Sequence, residues 1–223
     1  MSTVIKPTTL QFLKNLQANN NREWFTEHKP EYELALDNVK QFVQVVGDEI
    51  SHHDDIEGYK LFRIYRDVRF SKDKTPYKTS FSGSFKRATK WKRGGMFFSI
   101  SPGQSLAAGG FWKPEPKDLA RIRQEIAADD SYLKQIIASK AFKNHFGELQ
   151  GDQVKSSPKG YKKDHPAINL LRYKQFLVYR NFTDKEVCSP SFAKDLSDTF
   201  KAMRPFFDYM SDVLTTDENG VRI

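Results

Sequence analysis

The hydrophobic period of this chain changes once, and that change limits what it can fold into. Tyr32, Leu36, Val39, Val43, Val46 and Ile50 succeed one another at steps of three and four, the spacing of one helix face. After Gly58 the step falls to two. Phe62, Ile64, Val68 and Phe70 alternate with Leu61, Arg63, Tyr65, Asp67 and Arg69, which predicts a β-strand from Lys60 to Phe70. Phe81 to Lys86, Met96 to Ser101 and Leu106 to Trp112 read as further strands, with turns at Gly94-Gly95 and Pro102-Gly103. Such short turns favour antiparallel pairing.

Helical spacing holds on both sides of this cluster. Before it, Phe12, Leu13 and Leu16 share a face, Asn21 is placed to cap a short helix, and Pro30 suits the first turn of the long one. After Pro114, helices are expected at Asp118 to Ala127, Ser131 to His145 and Ala167 to Arg172, with a long surface loop from Gly151 to His165. A strand at Gln175 to Phe182 follows. The last helix should open with Ser189 as cap and Pro190 at its first position. Phe192, Leu196, Phe200, Met203, Phe207 and Met210 are its stripe, and Pro205 should kink it. The reading is a single α+β domain, a mostly antiparallel sheet flanked by N- and C-terminal helices.

The 223 residues suit one large domain. No apolar run approaches membrane-spanning length, and the N-terminus lacks the apolar core of a signal peptide. The single cysteine, Cys188, excludes an internal disulfide and fits a reducing compartment. A soluble, cytoplasmic protein is expected, without membrane association.

Charge is distributed less evenly than composition suggests. From Lys60 to Arg93 the chain carries 12 Lys and Arg against Asp67 and Asp73 alone, a net +10 in a chain whose total is +8. A charge excess that local marks a place where something anionic is held. Arg63, Arg66, Arg69, Lys74 and Lys78 are the expected ligand-binding cations, with Tyr77 assisting. Arginine forks grip phosphate or carboxylate at two points, and lysine adds a mobile point charge. Asp67 and Asp73 would orient them, and Tyr65 would support the site by hydrogen-bonding the ligand or stacking on a base. Arg66 is singular: it falls on the apolar side of the predicted strand, so it must be paired or open into a pocket.

A second loop, Pro158 to His165, adds Lys159 as a further binding cation, and Gly160 would permit a close backbone approach. His165 is the best single candidate for general acid–base work, its ordinary pKa lying near 6.5. No metal site is expected, because adjacent residues of His52-His53-Asp54-Asp55 point about 100° apart on a helix. There is no phosphate-binding glycine loop and no dinucleotide fingerprint, so no cofactor is assigned.

The stretch from Arg63 to Thr79, RIYRDVRFSKDKTPYKT, closely resembles the central motif of the family known as domain of unknown function 2461. Asn20-Asn-Arg-Glu-Trp-Phe25, Gly109-Gly-Phe-Trp112, Pro158-Lys-Gly-Tyr161 and Asp164-His165-Pro166 fit the same family in order. The resemblance implies a widespread bacterial and fungal protein and supplies no reaction or catalytic residue. From the residues themselves, an anionic small molecule, phosphate- or carboxylate-bearing, is the leading ligand. Single-stranded nucleic acid or RNA comes second, since aromatic rings lie among the cations. An acidic protein partner is third.

Overall fold

The computed structural model describes residues 4–217 and 220–223. It opens with three helices, α1 (Pro7–Ala18), α2 (Arg22–Glu27) and α3 (Lys29–Ser51). Asn21 caps α2 as expected, its side-chain oxygen accepting the Trp24 N–H. Pro30 sits in the first turn of α3, where a missing N–H costs nothing. The α3 stripe faces inward, with Val39, Val43, Val46 and Ile50 buried beside Phe42. Periodicity did not mark one buried neighbour, Asn38. It accepts the Lys6 N–H (2.9 Å) and Thr9 hydroxyl (2.8 Å) and donates to the Val4 carbonyl (2.9 Å). One amide thus satisfies three groups and holds α1 against α3.

The strands are β1 (Ile56–Leu61), β2 (Phe81–Arg87), β3 (Gly95–Ile100), β4 (Ser105–Phe111) and β5 (Phe176–Phe182). They form one antiparallel sheet whose spatial order repeats the sequence order. With helices before and after it, the architecture is the expected α+β. Strands β3 and β4 alternate buried and open positions, as their period of two requires.

The predicted strand from Lys60 to Phe70 is a correction. β1 starts earlier and stops at Leu61. Beyond it, residues 62–80 form an irregular arm closed by a single antiparallel bridge between Tyr65 and Tyr77. Alternation alone does not hold a strand there. Only Ile64 and Tyr77 of its apolar residues are buried, and Phe70 is bare. The Asp67 carboxylate also accepts the Arg69 N–H (3.2 Å), a local turn that leaves the extended register.

Between β4 and β5 come α4 (Pro116–Ala128), α5 (Ser131–Ala138), α6 (Lys140–Phe146) and α7 (Ile168–Leu171). The helix expected from Ser131 to His145 divides because Ser139 adopts extended geometry and caps α6, its hydroxyl accepting the Phe142 N–H. After β5, a short helix α8 (Asp184–Val187) is set by a Thr183–Glu186 capping box, and α9 (Phe192–Thr215) follows. Its start is later than Ser189-Pro190 predicts. The Ser189 hydroxyl accepts the Ser191 N–H (3.3 Å), and helical bonding begins at the Ser191 carbonyl. Its predicted stripe is wholly buried, and the helix runs through Pro205.

The described residues divide into two compact units. The first holds residues through Lys86 with Phe97–Ala107 and Asn181–Asp198. Within it Phe42 stacks on Phe192 at 5.1 Å, and Phe182 meets Phe192 edge-on at 5.2 Å. The second holds Arg87–Met96, Ala108–Arg180 and the described residues from Thr199 on. There Phe111 sets its edge on Phe206 and Phe207 at 6.0 and 6.3 Å. Gly109 lies where a Cβ would meet the Met203 sulfur and Phe207 ring, and Gly110 where one would stand 2.1 Å from the Phe176 carbonyl. Gly110 also has φ +132, which L side chains rarely adopt. We predict that Gly110→Ala destabilises the fold by about 3 kcal/mol or more, through clash and backbone strain together. Urea unfolding measures it; a loss below about 1 kcal/mol contradicts the close approach.

Candidate functional site

The arm, residues 62–80, grows out of the β1–β2 hairpin. The Phe62 N–H donates to Ser82 O (2.8 Å), Lys78 N–H to Ile64 O (2.8 Å) and Arg66 N–H to Pro76 O (2.9 Å). Two features outside the arm hold it. The Asn20 side chain brackets Tyr77, donating to its carbonyl (2.9 Å) and accepting its N–H (3.1 Å). The Phe25 ring stacks on Tyr77 with centroids 3.9 Å apart. Tyr65 closes the group at 5.9 Å from Phe25 and 5.5 Å from Tyr77. The Asn20–Phe25 segment and the central basic segment, separate in sequence, are therefore one packed structure.

The expected binding residues have distinct roles in this arm. Arg66, the cation on the apolar side, is paired: its Nη1 donates to the Asp73 carboxylate and the Thr75 hydroxyl. Asp73 also accepts the Thr75 N–H (2.9 Å) and hydroxyl (2.8 Å). Arg69 grips Asp67 through Nε (3.0 Å) and Nη2 (2.7 Å). Lys74 donates to Val68 O (2.9 Å), and Lys78 to Arg63 O (3.0 Å) with its ammonium 5.8 Å from the Phe62 ring. Arg63 is exposed with no carboxylate within ion-pair distance among the described residues, and so is Lys72. Asp67 and Asp73 are thus the ion-pair partners of Arg69 and Arg66. Tyr77 is buried in the ring stack and supports the arm from within.

Several other cations of the basic window are matched by carboxylates far away in sequence. Lys86 pairs with Glu57, Arg87 with Asp208 and Arg93 with Asp118. The local net charge did not disclose them, because distant partners are invisible to a window. Arg87 is fully removed from solvent, over the Phe207 ring at 5.6 Å and donating to Arg93 O at 3.0 Å.

Lys159 and His165 belong to the second unit, whereas the arm belongs to the first. Lys159 is exposed. The His165 Nδ1 accepts the Ala167 N–H (3.1 Å) at the entry to α7, and its ring meets Tyr161 edge-on at 6.2 Å. Gly160 has φ +91, a conformation that favours glycine, and a Cβ there would meet nothing within 4 Å. At the end of α3, His53 Nε2 bonds the Ser197 hydroxyl at 2.9 Å.

The structure is that of an α+β protein with a basic hairpin arm braced by a short aromatic helix. The chain matches the model of the conserved hypothetical protein family, domain of unknown function 2461, over residues 8–209, and it belongs to that family. Compared with curated proteins and with solved structures, it matches none. Among the described residues, no helix is long and apolar enough to cross a membrane.

Electrostatics in the arm follow its bonding. The Arg66 hydrogen bond, helped by the Thr75 N–H and hydroxyl, pulls the Asp73 carboxyl down to about 2, and the Arg69 fork lowers Asp67. Burial, with Arg63 nearby, lowers Lys78, and burial with Tyr65 nearby raises Tyr77. Asp73 thus binds its proton less readily folded than unfolded. Its contribution is complete above the ordinary carboxylate value of 3.8 and is lost as pH falls through about 2. We predict that the Thr75 amide resonance titrates with a midpoint near pH 2 and that Asp73→Asn abolishes the transition. A midpoint near 4 means the Arg66 contact is not formed in solution.

Proposed function

We propose that the arm binds single-stranded nucleic acid, its free cations on the phosphates and its exposed rings on the bases. The observation that carries this reading is Phe70: the ring is 95% exposed beside the Arg69 guanidinium, which lies 6.0 Å from its centroid. Leaving such a ring in water forgoes about 1.5–3 kcal/mol of burial, and a stacked base returns about 1–3. Tyr65, 47% exposed, offers a second face, and Arg63 and Lys72 are exposed cations with no carboxylate in ion-pair contact among the described residues. An open surface of this kind suits a strand better than the enclosed pocket expected from sequence, because Arg66 and Tyr77 are engaged in holding the arm.

One observation favours a phosphate- or carboxylate-bearing small ligand as a second reading. The Lys78 ammonium donates to Arg63 O at 3.0 Å, which brings two cations together, and an anion beside both relieves their repulsion. Neither reading includes a reaction.

Fluorescence anisotropy with labelled oligo(U) and oligo(dT), over a range of salt, separates the two. Arg63→Ala and Lys72→Ala should each weaken binding and reduce the log–log salt slope by about 0.7. Phe70→Ala should weaken it by about 5- to 150-fold with the slope unchanged. Oligomers that fail to bind, alongside pyrophosphate binding lost in Lys78→Ala and retained in Phe70→Ala, would decide for the small ligand.

A further inference from the structure

The Gly109-Gly-Phe-Trp112 segment ends on a largely exposed ring, with the neighbouring Lys113 ammonium 5.9 Å from its centroid. Gly109 and Gly110 admit neighbouring atoms and Phe111 is buried, whereas Trp112, just past the end of β4, is 65% exposed. Its ring lies at an open cleft of about 450 Å³ in the second unit, within the roughly 300–1,000 Å³ of small-molecule sites. Arg93, Lys113, Glu115 and Asp118 line the same cleft, and Gly110 contributes bare backbone.

These groups are held in place before any ligand arrives. The Arg93 Nη2 donates to Asp118 at 2.6 Å, and both side chains remain partly open to solvent. The Arg93 backbone is pinned on both sides, its N–H to the Ser211 hydroxyl (2.8 Å) and its carbonyl to the Arg87 Nη1 (3.0 Å). Lys113 turns the chain sharply with φ +46, a conformation non-glycine residues seldom adopt. Backbone strain of that kind gathers at binding sites.

The charges determine the class of ligand. Two cations and two carboxylates line the cleft, so an anion or a cation would meet its own sign as often as its opposite. The walls instead suit a neutral molecule rich in hydroxyls, which the planar Arg93–Asp118 pair can engage as donor and acceptor at neighbouring atoms. Trp112 requires that this molecule also present one apolar face. A pyranose or furanose ring has both. We propose that the cleft at Trp112 is a binding site for a neutral sugar.

The test is an NMR titration of the ¹⁵N-labelled full chain, following the Trp112 indole N–H, assigned through Trp112→Phe. Glucose, galactose, mannose, N-acetylglucosamine and ribose are the probes, each raised to tens of millimolar, beside adenosine, inorganic phosphate and ethylammonium. At least one sugar should shift that signal and the Arg93 amide saturably, with a millimolar Kd. Trp112→Ala, at an exposed position that leaves the fold intact, should weaken the Arg93 response at least tenfold. The proposal is overturned if no sugar moves the signal. It is equally overturned if Trp112→Ala leaves the Arg93 response unchanged, or if adenosine or a charged probe binds there in preference to every sugar.

Discussion

A guanidinium taken wholly out of water constrains everything around it. Arg87 ends β2 with no solvent contact, and an unpaired charge there would cost several kcal/mol. Its partners include the Asp208 carboxylate of α9 and the Arg93 carbonyl in the loop before β3. That loop is drawn in further by Ser211, whose hydroxyl also donates to Phe207 O at 2.6 Å. The Asp208 side chain stays 47% exposed, so the pair joins a buried cation to a carboxylate still open to water. What it specifies is where the loop goes, and hence where the Arg93 side chain points.

The legible part of the fold was the part controlled by side-chain period. The α3 stripe, the α9 stripe and the alternation of β3 and β4 are burial patterns, and burial is what periodicity reports. Where a polar group competes for the backbone, the pattern misleads. Ser139 divides a helix whose apolar spacing is continuous, and Asp67 turns a chain whose alternation continues to Phe70. Asn38 and Arg87 escaped notice for a related reason: each is buried through bonds to residues distant in sequence, and composition carries no trace of them.

The charge excess of the segment was legible in the sequence, its pairing less so. Asp73 and Asp67 lie close in sequence to the arginines they hold, and those pairs could be anticipated. The carboxylates on Lys86, Arg87 and Arg93 could not, since Glu57, Asp208 and Asp118 all lie outside the window whose charge was counted. Folding therefore divides one run of positive charge into a part used for construction and a smaller part left facing water around Arg63, Phe70 and Lys72. The strand predicted there would have put Arg63 and Arg69 on one face and Arg66 on the other; the arm instead gives Arg66 to Asp73 and Arg69 to Asp67.

The neighbours β4 and β5 are separated by 64 residues of chain, all of α4 through α7. Closing so long a loop costs roughly 4 kcal/mol of chain entropy, while β1 to β4 meet through much nearer contacts. During synthesis the outer edge of β4 therefore emerges well before the strand that covers it. With Gly109 and Gly110 exposing bare backbone on that edge, a young chain carries an unpaired template for other strands until the helices have been made. The edge of β4 is thus covered only once the 64 residues that follow it have been made.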